Sequence, residues 1–167
     1  MNCKKSFLMF LNSWYLLSTG FGSGLSPIIP GTIGSLFCIP FWLLMYWLLP
    51  IWLCWLIILF SFFIGIFICK MISFDMQVHD HGSIVWDEFV GMWITLMFIP
   101  IINWQWILIT FLLFRFLDIL KPWPIYWFDR KISGGLGIMI DDIIVAISSI
   151  IIISILTYYL PILYYIK

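Results

Sequence analysis

Five carboxylates at the ends of apolar segments are the residues best suited to chemistry in this chain. They are Asp87, Glu88, Asp118, Asp141 and Asp142, and the chain has only eight acidic residues among 167. A carboxylate beside a hydrocarbon-seeking segment costs free energy, so it usually has a partner or a function. Oxygen ligands without neighbouring cysteines suit a hard ion such as Mg²⁺, which binds carboxylates together with substrate phosphate. The pattern therefore predicts a metal site for phosphate chemistry, if the fold gathers these residues.

Two cations flank one of these acids. Arg115 lies three residues before Asp118 and Lys121 lies three residues after it, so the three share one face of a helix. Arginine matches phosphate oxygens with paired hydrogen bonds, and lysine acts as a point charge. We predict that Arg115 and Lys121 bind a phosphate. The alternative is that both are long side chains that reach toward the membrane surface without a catalytic role.

A polar stretch before Asp87 supplies candidates for proton transfer. It contains His79 and Asp80. A histidine there could protonate a leaving group, and an aspartate could orient water. We predict that His79 or Asp80 handles protons, and the alternative is an ordinary solvated loop.

The composition indicates an integral membrane protein. Hydrophobic residues make up 64% of the chain and charged residues 10%, whereas a soluble domain has about 25% charged residues. The net charge is zero, so nothing indicates nucleic-acid binding. The length suits a single domain over 1–167. We expect 1–31 to form a retained N-terminal interfacial segment followed by a loop rich in Gly and Pro.

Five apolar segments predict an all-α, polytopic membrane bundle with four to five membrane-embedded helices. Their approximate limits are 32–48, 51–69, 86–100, 104–120 and 141–160. The third and fourth are short for full spans, and they would suit a tight hairpin whose charged ends dip into the interface. Alternating directions place every charged residue except Lys167 on one side or its rim, and the positive-inside rule makes that side cytoplasmic. The five acids then meet at a rim active site.

A helix-capping function is the alternative for four of the acids. Asp87, Glu88, Asp141 and Asp142 lie near predicted helix N-termini, where the helix dipole favours negative charge. Asp118 lies near a predicted C-terminus, where a negative charge is unfavourable. Capping therefore leaves Asp118 unexplained.

Three other classes of membrane protein compete with a metal-dependent enzyme of phosphate chemistry. An ion-coupled transporter would place acids near the bilayer midplane, with broken helices in repeated halves. A phosphatidyl-group transferase would need an Asp-Gly-x-x-Ala-Arg signature, which the sequence lacks. A non-enzymatic scaffold gives no reason for five clustered carboxylates.

Four stretches of the sequence resemble the phosphatidylglycerophosphatase A family, and they occur in order from about residue 20 to residue 146. They are Gly22-Ser23-Gly24-Leu25-Ser26-Pro27 with Pro30-Gly31-Thr32-Ile33-Gly34-Ser35, then His79-Asp80-His81-Gly82-Ser83-Ile84-Val85-Trp86-Asp87-Glu88-Phe89-Val90-Gly91, then Phe114-Arg115-Phe116-Leu117-Asp118-Ile119-Leu120-Lys121-Pro122-Trp123-Pro124-Ile125, and Gly135-Leu136-Gly137-Ile138-Met139-Ile140-Asp141-Asp142.

The resemblance implies a multi-pass, Mg²⁺-dependent lipid phosphatase of the bacterial inner membrane, with its active site facing the cytoplasm. Such enzymes remove the terminal phosphate of phosphatidylglycerophosphate during phospholipid biosynthesis. The acidic motif positions of the family correspond here to Asp80, Asp87, Glu88, Asp118, Asp141 and Asp142. We therefore expect Mg²⁺ at Asp87, Glu88, Asp118, Asp141 and Asp142. We expect the catalytic groups to be Asp80, His79, Asp118, Arg115 and Lys121.

Overall fold

The fold is helical throughout the described part of the chain. The structure is a computed structural model, and it describes residues 13–78, 81–123 and 125–159. Those residues contain seven α-helices, a 3-10 turn at Ser23–Leu25 and no strand, which confirms the all-α prediction. The helices are α1 Ser13–Ser18, α2 Pro30–Leu48, α3 Ile51–Met76, α4 Trp86–Leu96, α5 Trp104–Leu120, α6 Ile125–Lys131 and α7 Gly135–Tyr159.

Three of these helices are long and apolar enough to cross a membrane. They are α2, α3 and α7, the last with Gly134 included. The hydrocarbon core of a bilayer is about 30 Å thick. With 11 residues in α4 and 17 in α5, these two helices reach about 16 and 25 Å at 1.5 Å per residue. The structure therefore indicates a membrane protein with three candidate spans, and membrane embedding of α4 and α5 stays a prediction.

The start of α7 differs from the prediction, with a consequence for the acids. The helix begins at Gly135, after Gly134 with φ of 80°, and not near Asp141. The apolar residues before Asp141 continue the helix, because no Gly or Pro lies between Gly137 and Asp141 to interrupt it. Asp141 and Asp142 therefore lie in the second turn, which rules out first-turn capping for them.

Two further limits differ from those predicted. α3 extends to Met76, where Gln77 with φ of 54° ends it, so Lys70 lies on a helix and not in a polar loop. α4 ends at Leu96 and not near residue 100. Asn103 caps α5 as a turn residue should, because its side chain accepts a hydrogen bond from the Trp106 N–H at 2.8 Å.

The central helix is α7, which packs against α3, α4, α5 and α6. At its first residue, Gly135, an added Cβ would overlap the Ile66 carbonyl oxygen and lie 2.6 Å from the Lys70 backbone nitrogen. On α4, a Cβ at Gly91 would lie 2.9 Å from the Asp142 carbonyl oxygen. These two glycines let the helix backbones approach closely, and the second contact places α4 directly beside the acidic turn of α7.

Gly135→Ala is expected to destabilise the protein, because the new Cβ would meet the backbone of α3 and force α7 away. The expected cost is roughly 1–3 kcal/mol, as for other overpacked sites. Thermal unfolding of the purified protein in detergent measures the change. Gly82→Ala is the control, because its Cβ would meet only Pro30 Cγ at 4.0 Å. Equal unfolding midpoints for the two variants would contradict the close approach of α3 and α7.

Candidate active site

Three of the predicted carboxylates form one group, in which Asp141 and Asp142 are buried and Asp118 is partly buried. Asp118 lies in the last turn of α5, and Asp141 and Asp142 lie in the second turn of α7. Each offers an oxygen atom, and these atoms lie within 4.8 Å of one another. Asp141 is 6% exposed and Asp142 is 3% exposed. The fold thus brings together carboxylates that are more than twenty positions apart in the sequence, as the alternating topology predicts.

Arg115 joins Glu88 to this group. Its Nη1 atom lies 3.1 Å from Glu88 Oε1 and 2.6 Å from Asp118 Oδ2. The same atom donates to Ser35 Oγ at 3.3 Å, and the Ser35 hydroxyl lies 3.2 Å from Glu88 Oε2. One guanidinium therefore connects α2, α4 and α5 at the edge of the carboxylate group.

Lys121 approaches the group from the residue after α5. Its Nζ atom forms an ion pair with Asp141 Oδ2. Lys121 has φ of 41° and its N–H donates to the Leu117 carbonyl at 2.8 Å, which ends α5 in a tight turn. A left-handed conformation costs a residue other than glycine about 1 kcal/mol or more. The turn brings the ammonium group to α7, so both predicted cations contact the predicted acids.

Asp87 completes the set from α4. It is 8% exposed, and its charge acts on Asp142. Gly91, one turn further along α4, packs against Asp142 itself. The Oδ2 atom of Asp142 is buried and has no hydrogen-bond partner within the described residues. A buried carboxylate oxygen without a partner is costly, so a positively charged ligand at this atom would stabilise it.

The electrostatic balance of the site is negative. Its five carboxylates exceed its two cations, Arg115 and Lys121, by three. Glu88 lies on α4, outside the three candidate spans, and burial raises the pKa of this carboxyl to about 7. The positive charge of Arg115 opposes that rise and the negative charge of Asp118 adds to it. Removal from water is thus the main reason why the pKa of Glu88 is raised, and the neighbouring Asp118 charge contributes to it.

The donor set fits a hard divalent cation. The converging atoms are carboxylate oxygens, which Mg²⁺ prefers over nitrogen or sulfur. The buried Asp142 oxygen provides a position at which such an ion would replace a missing hydrogen bond. The residues present therefore fit the ion that the sequence predicts.

The part played by α2 was missed from the sequence. A Cβ at Gly31 would overlap Glu88 Oε1 and lie 2.9 Å from Arg115 Nη2. Ser35, one turn later, contacts both of those side chains. The available signal was the stretch from Pro30 to Ser35, which carries part of the family resemblance.

The structure does not test the two residues predicted to transfer protons. His79 and Asp80 lie outside the described residues, so their role stays a prediction. The next residue, His81, is described, and its Nδ1 atom lies 2.7 Å from Ser83 Oγ.

The helix-capping alternative still applies to two of the acids. Asp87 and Glu88 lie in the first turn of α4, where the helix dipole interacts favourably with negative charge.

Comparison with known proteins assigns the family. The family model of Phosphatidylglycerophosphatase A matches residues 16–157. A Phosphatidylglycerophosphatase A from Escherichia coli (strain K12) is 57% identical over 145 residues, which cover 87% of this chain and 84% of that protein. The protein of the same name from Haemophilus influenzae is 47% identical over 153 residues, which cover 92% and 94%.

A third relative carries a different name. It is a Bacteroides thetaiotaomicron protein, provisionally named a phosphatidylinositol-3-phosphatase, and it is 38% identical over 147 residues, 84% of this chain and 91% of that protein. No solved structure matches the chain. The family model and the two strongest of these three similarities agree, and the chain therefore belongs to the phosphatidylglycerophosphatase A family of phosphatase enzymes.

Proposed function

We propose that this chain is a Mg²⁺-dependent lipid phosphatase that hydrolyses the terminal phosphomonoester of phosphatidylglycerophosphate in phospholipid biosynthesis. The products are phosphatidylglycerol and inorganic phosphate. The observation that carries the proposal is the group of Asp118, Asp141 and Asp142, with oxygen atoms within 4.8 Å of one another and two cations beside it. The names of the Escherichia coli and Haemophilus influenzae relatives supply the substrate.

The acids are proposed as the metal ligands. Asp118, Asp141 and Asp142 form the inner set, and Asp87 and Glu88 complete it from α4. The buried Oδ2 atom of Asp142, which has no hydrogen-bond partner in the described part of the chain, supports this assignment. When bound, Mg²⁺ would neutralise phosphoryl oxygens and favour the ionised form of water.

Arg115 and Lys121 are proposed to bind the phosphate. Glu88, Asp118 and Ser35 hold the guanidinium of Arg115 in one position, so it needs little rearrangement when a substrate arrives. The Lys121 side chain is 27% exposed, whereas that of its partner Asp141 is 8% exposed. Lys121 is therefore the cation that an arriving headgroup meets first.

The overall reaction transfers a phosphoryl group to water. The bond between phosphorus and the ester oxygen breaks, and a water oxygen takes its place on phosphorus. The departing lipid oxygen needs a proton to become the alcohol of phosphatidylglycerol. His79 or Asp80 is proposed to handle this proton, because both precede the acid pair on α4 by only a few residues.

The active site is proposed to face the cytoplasm at the bacterial inner membrane. Seven of the eight Lys and Arg residues fall on the predicted side that holds the acids, and the positive-inside rule makes that side cytoplasmic. The contact of Gly135 with the backbone of Lys70 supports this arrangement, because it brings the end of α3 to the start of α7. In the same proposal α4 and α5 form a membrane-embedded hairpin, which with the three candidate spans gives five embedded helices, within the predicted four to five.

Phosphate release from three substrates tests the activity. We expect the purified protein to release phosphate from phosphatidylglycerophosphate with Mg²⁺ and to stop when EDTA removes the ion. Phosphatidic acid and a soluble phosphomonoester, each assayed with and without Mg²⁺, measure the substrate range. Activity on none of the three compounds would overturn the enzymatic proposal, and equal activity with EDTA would overturn the metal requirement.

Asp118→Asn and Asp141→Asn test the ligand assignment. Each amide keeps the size of the side chain but removes a charged oxygen ligand, so we expect turnover to fall on the order of 100-fold or more. Both variants should stay folded, because the asparagine oxygen can still accept a hydrogen bond from Arg115 or Lys121. Asp75→Asn is the matched control, since Asp75 lies on α3, accepts a hydrogen bond from Tyr15 at 2.9 Å and should be dispensable for turnover. Wild-type turnover in both site variants would refute the assignment.

A further inference from the structure

An apolar groove lies between α2 and α5 on the outside of the bundle. It encloses about 420 Å³. Its floor contains Ile39 and Phe111, which are 8% and 9% exposed, and its walls contain Leu36 and Leu108, which are 56% and 45% exposed. Every residue that lines it is hydrophobic. In a membrane protein, such a surface is expected to be covered by hydrocarbon or by another helix.

One end of this groove leads into the candidate active site. On α2, Ser35 lies one helical turn before Ile39, and on α5, Arg115 lies one turn after Phe111. Arg115 Nη1 and Ser35 Oγ are 3.3 Å apart, so the two helices that form the groove meet at the site. From that contact, the groove continues roughly 12–16 Å along the helices, at 1.5 Å per residue. A charged site and an apolar channel are therefore continuous.

We propose that the α2–α5 groove holds an acyl chain of the lipid phosphate substrate while its phosphate lies between Arg115 and Lys121. This inference rests on the proposed function. A lipid phosphate has one charged end and one apolar end, and the joined site and groove match that order. A bulk lipid without a terminal phosphate fits the groove but has no group for the carboxylate site and its cations.

The groove acts by positioning the substrate. A chain that leaves the bilayer for the groove exchanges one hydrocarbon environment for another, so little affinity is gained from the hydrophobic effect. What the groove supplies is a fixed direction for the glycerol backbone, and hence for the phosphate ester, relative to Arg115. Small errors in that placement are costly in rate. The groove is therefore expected to matter for the acylated lipid and not for its deacylated headgroup.

Leu108→Trp tests the inference by filling the groove about 10 Å along α5 from Arg115, at 1.5 Å per residue. The substrates are dioleoyl phosphatidylglycerophosphate and its deacylated analogue, glycerophosphoglycerophosphate, under identical mixed-micelle conditions with Mg²⁺. We expect kcat/KM for the dioleoyl lipid to fall at least about tenfold. The deacylated analogue should react within about twofold of the wild-type rate, because it has no acyl chain to place in the groove.

Leu112→Trp is the matched control. Leu112 lies one turn from Leu108 on the same helix, is 55% exposed and does not line the groove. This variant should leave both substrates unaffected. Leu43→Trp fills the groove from its opposite wall, about 12 Å along α2 from Ser35 at 1.5 Å per residue. It should repeat the selective loss, which guards against a folding defect particular to Leu108→Trp.

The outcomes separate the inference from the proposed function. No effect of Leu108→Trp and Leu43→Trp, or an equal loss on both substrates, would overturn the groove assignment alone. An equal loss together with a change in oligomeric state would assign the groove to a second copy of the chain. A wild-type protein that releases no phosphate from either substrate would overturn the proposed function, and the groove assignment with it.

Discussion

An excess of buried negative charge is the constraint on which the rest of the structure depends. Ionised groups removed from water carry a desolvation cost that only close opposite charges and hydrogen bonds offset. Here α4, α5 and α7 bring together three buried carboxylates, Asp87, Asp141 and Asp142. Glu88 and Asp118 are partly buried beside them, with Arg115 and Lys121 as the nearby cations. The arrangement of these helices is therefore tied to charge neutralisation, and a bound divalent cation completes it in the proposed function.

Close backbone packing is what makes this concentration of charge possible. Gly91 brings α4 against the acidic turn of α7, and Gly31 leaves space on α2 for the Glu88 and Arg115 side chains. Ser35 then contacts both of those charged groups from the same helix. A larger side chain at Gly91 would push α4 away from Asp142, and one at Gly31 would displace the Glu88 and Arg115 side chains.

Much of the site could be predicted from the sequence. Alternating segments of about the right length placed Asp118 and the Asp141–Asp142 pair on one side, and the structure brings their oxygens together. The start of α7 was predicted too late, because the glycines before it resemble a loop and the contact of Gly135 with α3 is tertiary. The contribution of α2 to the site was not predicted, for the same reason. Nothing in the local sequence around Gly31 shows that Glu88 is its neighbour in the fold.

The site and the groove together relate the fold to its proposed substrate. Charged groups at the end of α5, where it meets Ser35 of α2, suit a phosphate, and the apolar channel that follows suits an acyl chain. In this arrangement the phosphate is directed to the acids of α7, the helix that packs against most of the others. The ends of α2 and α5 that meet at the site then take part both in binding the lipid and in hydrolysing its phosphate ester.

The location of a bound ion tests the central claim most directly. Mn²⁺ accepts the same oxygen ligands as Mg²⁺, and its anomalous scattering identifies it in a crystal structure of the full chain. The expected result is a Mn²⁺ ion in contact with carboxylate oxygens of Asp118, Asp141 and Asp142. An ion bound elsewhere, with these three carboxylates neutralised by Arg115, Lys121 and protons alone, would contradict it.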